Sequence, residues 1–212
     1  MHAKASILAW ADVTVGAGPA YLLRRRMTGM RSAGFIIATL ALVGAASAQT
    51  HQAGPSVGAT LPPISAPDQS GEHRALASLG GANGTVLLIT RAADWCPYCQ
   101  QQMIGLEGAR AEIERRGFRI VTISTDTPAE LAAFEQRRAI GYTMLSDERA
   151  EIIRQLNLLD PTQAPGRRHN GLPIPTILIL SPEGRVLTKL GDANYRARPA
   201  PEVVLQALDA LR

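Results

Sequence analysis

Trp95-Cys96-Pro97-Tyr98-Cys99 contains both cysteines of the 212-residue chain, with two residues between them. The apolar run at residues 86–90 comes before it and predicts a strand. Residues 100–116 follow it with apolar side chains at helical spacing and predict a helix. The cysteine pair is therefore expected at the N-terminus of a helix that follows a strand. Two thiols placed there can cycle between a dithiol and a disulfide, and we interpret the rest of the chain as the scaffold for that cycle.

Residues 1–48 are predicted to be an N-terminal extension that ends in a signal peptide. They carry five Lys/Arg and one acidic residue, whereas the remainder carries 17 of each. Three arginines at 24–26, an apolar region at 33–45 and the small residues Ala46-Ser47-Ala48 have the order of a signal peptide and its cleavage site. The remainder is neutral, so we expect no nucleic-acid partner.

Export is the expected consequence of this segment. We predict cleavage after Ala48 and a periplasmic or secreted protein, because the apolar region is too short to favour a stable membrane span. The alternative is an uncleaved signal that anchors the protein in the membrane. A further hypothesis is that translation begins at Met27 or Met30.

The spacing of the cysteines argues against a purely structural disulfide. Exported proteins usually oxidise their cysteines to structural disulfides. A disulfide stabilises a fold mainly by closing a long loop, and a pair separated by two residues closes a very short one. The spacing therefore favours a redox pair.

The pattern of the remaining residues predicts one α/β domain over 56–212, preceded by a linker at 49–55. A polar, Gly- and Pro-rich stretch at 159–172 predicts an exposed loop. The order of elements predicts a mixed central sheet with helices on both faces. The predicted strands are 86–90, 118–124, 142–145, 177–180 and 185–190, and the predicted helices are 100–116, 128–138, 148–156 and 201–211, with a capping box from Thr127 to Glu130.

Three features together resemble a thioredoxin-fold redoxin. They are the Trp-Cys-x-x-Cys motif after an apolar strand, Ile174-Pro175-Thr176 at the start of a later strand, and the turn Pro182-Glu183-Gly184. The 75 residues between Cys99 and Pro175 leave room for an inserted β-α unit. The chain is in this respect similar to the AhpC/TSA (peroxiredoxin-like) and thiol-disulfide oxidoreductase group. The resemblance covers residues 55–212.

The resemblance implies distinct roles for the two cysteines. Cys96, at the positive end of the helix, is expected to be the nucleophile, because unpaired N–H groups there stabilise a thiolate. Cys99 is expected to be the buried resolving thiol that closes the disulfide. Pro97 and Tyr98 are expected to influence the reduction potential. No cofactor is implied, and the expected partner is a protein or small thiol that supplies or accepts electrons.

Four other residues are candidates for shaping the site. The resemblance implies that Pro175, followed by Thr176, is a cis-proline beside the cysteines; the alternative is an ordinary trans proline at a strand start. Trp95 is expected either to pack over the nucleophile or to belong to the core. Arg91 is a candidate for supporting the Cys96 thiolate.

Asp94 is a candidate for proton transfer near the cysteine pair. The alternative for both Asp94 and Arg91 is an ordinary solvated loop charge.

Disulfide exchange is the expected main activity, with peroxide reduction as the alternative. Peroxiredoxins carry Pro-x-x-x-Thr/Ser-x-x-Cys around their reactive cysteine. Alignment on Cys96 places Ile89 and Ala93 at those positions, and alignment on Cys99 places Ala92 and Cys96 there. Neither alignment matches the motif, and this favours a disulfide as the substrate.

Metal binding is the alternative to a redox function of the cysteine pair. Zinc needs about four ligands, and beyond the N-terminal extension the chain offers only His51, His73 and His169 besides the cysteines. Copper binding by the two cysteines and His169 is a less favoured alternative, because the resemblance to copper chaperones would require three residues between the cysteines. We therefore predict no metal.

Overall fold

The computed structural model describes residues 52–163, 171–192 and 194–211. The predictions for the signal peptide and for His169 fall outside these residues. Within the described ranges, no helix is both long and apolar enough to cross a lipid bilayer. The strands are β1 Ser65–Pro67, β2 His73–Ala75, β3 Gly84–Ile89, β4 Phe118–Ser124, β5 Thr143–Ser146, β6 Thr176–Leu180 and β7 Val186–Gly191, and the α-helices are α1 Pro97–Arg115, α2 Pro128–Arg138, α3 Glu151–Gln155 and α4 Pro201–Asp209.

The central sheet has five strands in the order β5-β4-β3-β6-β7. Strand β3 lies in the middle, parallel to β4 and antiparallel to β6. All six residues of β3 are buried, as expected for a continuous apolar run covered on both faces. The predicted mixed sheet is confirmed.

Helices cover both faces of this sheet, as predicted. The side chains of β3 alternate between two cores, so Val86 and Leu88 face one core while Leu87 and Ile89 face the other. Helices α1, α2 and α4 pack on the first face. Helix α3 packs on the second face, together with the segment that leads into and through β1 and β2.

Both edges of the sheet are paired with the N-terminal part of the domain. The N–H of Gly58 donates to the carbonyl of Val186 at 2.8 Å, which covers β7. On the opposite edge, Asp68 forms an antiparallel bridge to Leu145 of β5. Covered edges prevent unwanted strand pairing with other chains. Strands β1 and β2, which form an antiparallel pair of their own, are absent from the predicted strands.

The predicted helix starts at 100 and 148 are both wrong by three residues: α1 begins earlier, at Pro97, and α3 begins later. Helix α3 begins at Glu151 and not at 148. The N–H of Ala150 donates to the carbonyl of Asp147 at 2.7 Å, and Ala150 has a left-handed φ of 53°, so residues 147–150 form a turn. The Asp147 carboxylate then accepts from the N–H groups of 151, 152 and 153. Asp147 therefore caps α3 from across this turn.

Candidate active site

The cysteine pair lies where the chain passes from β3 into α1. Cys96 is the N-cap residue of α1, with an extended backbone, and Pro97 takes the first helical position. Proline suits that position because its missing N–H would have no helical partner there. The N–H of Cys99 points back and donates to Cys96 Sγ at 3.3 Å. The helix N-terminus is therefore directed at the Cys96 sulfur, as predicted.

The two cysteines form a disulfide. Their exposure differs: Cys96 is 4% exposed and Cys99 is fully buried. Together with Ala92 they form a small apolar cluster of their own. An incoming thiolate can therefore reach only the Cys96 side of the S–S bond.

Aromatic side chains form the outer rim of the site. Trp95 and Tyr98 are each 38% exposed, and Pro97 is exposed between them. The ring of Tyr98 meets the ring of Tyr195 edge to face, with centroids 6.2 Å apart. The alternative that Trp95 is a core residue is wrong, because its position in the loop before α1 directs it outward.

Arg91 is buried beneath the site, where it has partners of its own. Its Nη2 pairs with the carboxylate of Asp160 at 2.6 Å, and its Nε donates to the carbonyl of Pro173 at 3.3 Å. Its guanidinium also lies 4.2 Å from the centre of the Tyr195 ring. Burial lowers the pKa of Arg91, while Asp160 opposes that change. The alternative of a solvated loop charge is therefore wrong for Arg91.

A second arginine reaches the disulfide itself. Arg198 lies between β7 and α4, and its Nη2 is 3.8 Å from Cys99 Sγ. Its Nη1 donates to the carbonyl of Tyr195. Burial, followed by repulsion from Arg91, lowers the pKa of Arg198 to about 10. The guanidinium is still charged at neutral pH, so a cation lies against the buried sulfur.

Two acids lie near the cysteine loop, one exposed and one buried. The carboxylate of Asp94 points outward and pairs with Arg137 at 3.7 Å, so proton transfer by Asp94 stays a prediction. Asp126 is buried beneath the loop and accepts from the N–H groups of Ala93 at 2.6 Å and Asp94 at 3.2 Å. Burial raises the pKa of Asp126, although these hydrogen bonds oppose the rise.

Pro175 lies at the correct end of the sheet but in the trans form. Thr176 pairs with Ile89, the last residue of β3. Pro175 and Thr176 therefore lie at the end of the sheet where the chain leaves β3 and enters the cysteine loop. The described residues contain no cis peptide bond, and the predicted cis-proline is wrong. Pro175 instead precedes the first residue of β6, where its missing N–H removes no bond of the ladder.

Comparison with known proteins places the chain in a family. The sequence profile of the AhpC/TSA family matches residues 57–189. The chain belongs to the AhpC/TSA family. It is 30% identical over 115 residues to peroxiredoxin Bcp of Escherichia coli K12, covering 54% of this chain and 72% of that protein. It is 26% identical to 1-Cys peroxiredoxin PER1 of Triticum aestivum, covering 74% and 73% of the two chains.

Solved structures show the same fold. Peroxidoxin BcpB from Mycobacterium tuberculosis superposes with a TM-score of 0.62 at 24% identity, covering 76% of this chain and 99% of that one. A peroxiredoxin 6 of Arenicola marina gives a TM-score of 0.67 at 17% identity, covering 74% of each chain. The predicted thioredoxin-like fold is confirmed, and this AhpC/TSA protein is an oxidoreductase.

No metal site emerges from the described part of this AhpC/TSA protein. Groups of three or more His, Cys, Asp or Glu side chains that could hold an ion are absent from residues 52–163, 171–192 and 194–211. His169 lies outside these residues, so copper binding with His169 is untested.

Sequence reasoning missed Arg198, Tyr195 and Asp126. Arg198 and Tyr195 come from the polar segment between the last strand and the last helix, for which the sequence predicts no element. Two arginines at 196 and 198, close before a proline-started helix, were the only signal. Asp126 could have been noted as an acid at the end of β4, next to the strand that leads to the cysteines.

Proposed function

We propose that this protein is a thiol-dependent peroxidase whose redox pair is Cys96 and Cys99. The observation that carries the proposal is a vicinal cysteine pair at a helix N-terminus in a chain related to peroxiredoxins. The missing proline and threonine of the peroxiredoxin motif stand against it. The relatives outweigh that absence, since two of them with peroxiredoxin names each match over more than two thirds of their length.

The geometry supports a cycle in which the two sulfurs act in turn. The Cys96 thiolate, stabilised by the helix N-terminus, attacks the terminal oxygen of a hydroperoxide and the O–O bond breaks. Cys96 becomes a sulfenic acid, and the alkoxide or hydroxide that leaves takes up a proton from solvent to give an alcohol or water. The sulfur of Cys99 then attacks the Cys96 sulfur, water leaves and the disulfide forms. A dithiol donor returns the disulfide to two thiols and is itself oxidised to a disulfide.

Peroxide consumption by single-cysteine variants tests this proposal. With a dithiol donor in excess, we expect Cys96→Ser to fall to the background rate, because no sulfur is left at the accessible position. Cys99→Ser should react once and accumulate a Cys96 sulfenic acid, which a dimedone adduct reveals by mass. Ile104→Ala, an exposed change on α1, is the control. Full activity of Cys96→Ser would overturn the assignment.

Disulfide exchange is the second candidate, and the exposed rim of Trp95 and Tyr98 favours it. Exposed aromatic side chains beside a reactive group are typical of surfaces that bind a protein partner. Insulin reduction measured on the same variants separates the two functions. A wild-type protein that reduces insulin through Cys96 but consumes no peroxide would favour disulfide exchange.

We also propose that residues 1–48 direct export and that the mature chain begins at Gln49. The arginines, the apolar region and the small residues at 46–48 support this. Intact mass of the protein recovered from a periplasmic fraction tests it. A mass that starts at Gln49 is expected, and retention of residues 33–48 would indicate the anchored alternative.

A further inference from the structure

Arg198 is the one described cation that lies against the disulfide without a carboxylate partner. Its Nη2 contacts Cys99 Sγ at 3.8 Å and its Nη1 is held by the Tyr195 carbonyl. Its Nε is buried and has no hydrogen-bond partner among the described residues. The family profile ends at residue 189, so Arg198 belongs to the part of this chain that the profile does not describe.

The contrast with Arg91 shows what Arg198 lacks. Arg91 is buried and Arg198 is half-buried, but the Asp160 carboxylate neutralises Arg91 at 2.6 Å. Arg198 makes no salt bridge within the described residues and is repelled by Arg91. While the cysteines are oxidised, its nearest sulfur is neutral. A half-buried cation in this position is stabilised when a negative charge forms beside it.

We propose that Arg198 stabilises Cys99 Sγ as the leaving thiolate when a donor reduces the disulfide at Cys96. In the first step a donor thiolate bonds to Cys96 Sγ, the Cys96–Cys99 bond breaks, and its electron pair goes to Cys99 Sγ beside Arg198. In the second step the donor's other thiolate attacks the donor sulfur that is bonded to Cys96, that bond breaks, and Cys96 leaves as a thiolate at the helix N-terminus. The donor leaves as a disulfide, oxidised by two electrons, and the protein is reduced by the same two.

This inference rests on the proposed redox cycle and adds the direction in which electrons flow through the cysteine pair. Disulfides break faster when the leaving thiol is more acidic. The same stabilisation favours the reduced pair at equilibrium, so Arg198 raises the reduction potential of the couple. The protein is thereby suited to receive electrons from a donor rather than to reduce other disulfides.

Replacement of Arg198 by methionine is the central test. The full-length protein is equilibrated in buffers with known ratios of reduced to oxidised dithiothreitol. The mixtures are quenched with acid and alkylated, and mass spectrometry gives the fractions of dithiol and disulfide protein. We expect Arg198→Met to shift the equilibrium about tenfold toward the disulfide, which lowers the potential by about 30 mV. The initial rate of reduction should fall by a similar factor. Arg198→Lys, which keeps the charge, should recover part of both effects.

Arg196→Met is the matched control. Arg196 is exposed, and its guanidinium lies on Tyr195, 5.5 Å from the ring centre. The reduction potential of the Cys96/Cys99 pair in Arg196→Met should equal that of the wild type. An unchanged potential in Arg198→Met, or an equal shift in Arg196→Met, would overturn the inference.

Alkylation of the reduced protein as a function of pH gives an independent readout. The charged and titratable groups around the pair are Arg91, Arg198, Tyr98 and Tyr195, with Asp126 beneath the loop. Peptide mapping should show the pKa of the Cys99 thiol rising in Arg198→Met and staying constant in Arg196→Met. A pKa of Cys99 that Arg198→Met leaves unchanged would count against the inference.

Failure of this inference is distinguishable from failure of the proposed function. The equilibrium measurement needs no peroxide. A wild-type pair that shows the Arg198 effect but consumes no peroxide would remove the peroxidase proposal and leave the inference standing. A protein that consumes peroxide but whose reduction potential is the same in the wild type and Arg198→Met would remove the inference and leave the peroxidase proposal standing.

Discussion

The Asp126 carboxylate supports the loop that carries the cysteine pair from inside the protein. Its two oxygens receive hydrogen bonds from the N–H groups of Ala93 and Asp94, and Ser124 donates its hydroxyl at 2.6 Å. These bonds fix the backbone three residues before Cys96. A single buried side chain thus links the end of β4 to the entry of α1.

Asp126 gives a prediction at the residue scale, because burial raises its pKa above the unfolded value of about 3.9. The folded state then binds the proton more tightly than the unfolded state. The stabilisation is fully present below about pH 3.9 and is lost as the pH rises through the raised pKa. We expect the free energy of unfolding of the wild type, relative to Asp126→Asn, to fall as the pH rises in urea titrations.

Glu183→Gln is the control for the sign of that effect. A hydrogen bond from Ser181 lowers the pKa of Glu183, which lies on the surface. The contribution of Glu183 to the free energy of unfolding should therefore be lost as the pH falls, which is the opposite of the trend expected for Asp126. A difference between the wild type and Asp126→Asn that does not change with pH would contradict the proposed desolvation of Asp126.

At the scale of elements, the helix termini follow local sequence closely. Helix α2 has a complete capping box, in which the Thr127 hydroxyl accepts from the N–H of Glu130 and the Glu130 carboxylate accepts from the N–H of Thr127. Helix α1 has a sulfur in the corresponding place, since Cys96 accepts from the N–H of Cys99. The reactive cysteine of α1 therefore occupies a position that other helices use for stability.

Thr127→Ala is the prediction at this scale. Loss of the cap should lower the free energy of unfolding by about 1 kcal/mol, measured by urea denaturation. Glu130→Gln retains an acceptor of the kind found in capping boxes and should change stability much less. An unchanged free energy of unfolding in Thr127→Ala would show that the Thr127 hydroxyl contributes nothing to the helix.

At the scale of the whole molecule, the segment before β1 completes the sheet. It pairs with the β7 edge through Gly58 and Leu61, whose N–H groups donate to the carbonyls of Val186 and Gly184. Leu61 and Ile64 also belong to the core beneath the second face. The domain therefore depends on residues well before its first named strand.

Two truncated chains test this dependence. A chain that begins at Gln49 keeps all of these contacts and should match the full chain in free energy of unfolding within about 0.5 kcal/mol. A chain that begins at Pro62 loses the pairing with β7 and should unfold at clearly lower urea concentration. Equal stability of the two would show that the β7 edge needs no cover.

The parts of the fold that could be predicted are those encoded in consecutive residues. The apolar run of β3, the capping box of α2 and the proline at the start of α4 are each complete within a few positions. The predicted start of α3 failed because a turn closed by the Asp147 carbonyl and the left-handed Ala150 comes first and delays the helix by three residues. The prediction of a cis peptide bond before Pro175 is wrong because it was inferred from the family, while the local sequence fits a trans proline at a strand start.

Local sequence is enough to specify the strand, the cysteine pair and the helix that follows it. Apolar periodicity, helix-start chemistry and the Cys-x-x-Cys spacing are local, and they place Cys96 at a helix N-terminus without any knowledge of the sheet. The tertiary structure alone decided which charges meet the pair. Arg198 reaches Cys99 across 99 positions, and Asp160 neutralises Arg91 across 69. Such contacts depend on how β6 and β7 are placed beside β3, because only the order of strands in the sheet brings these distant segments together.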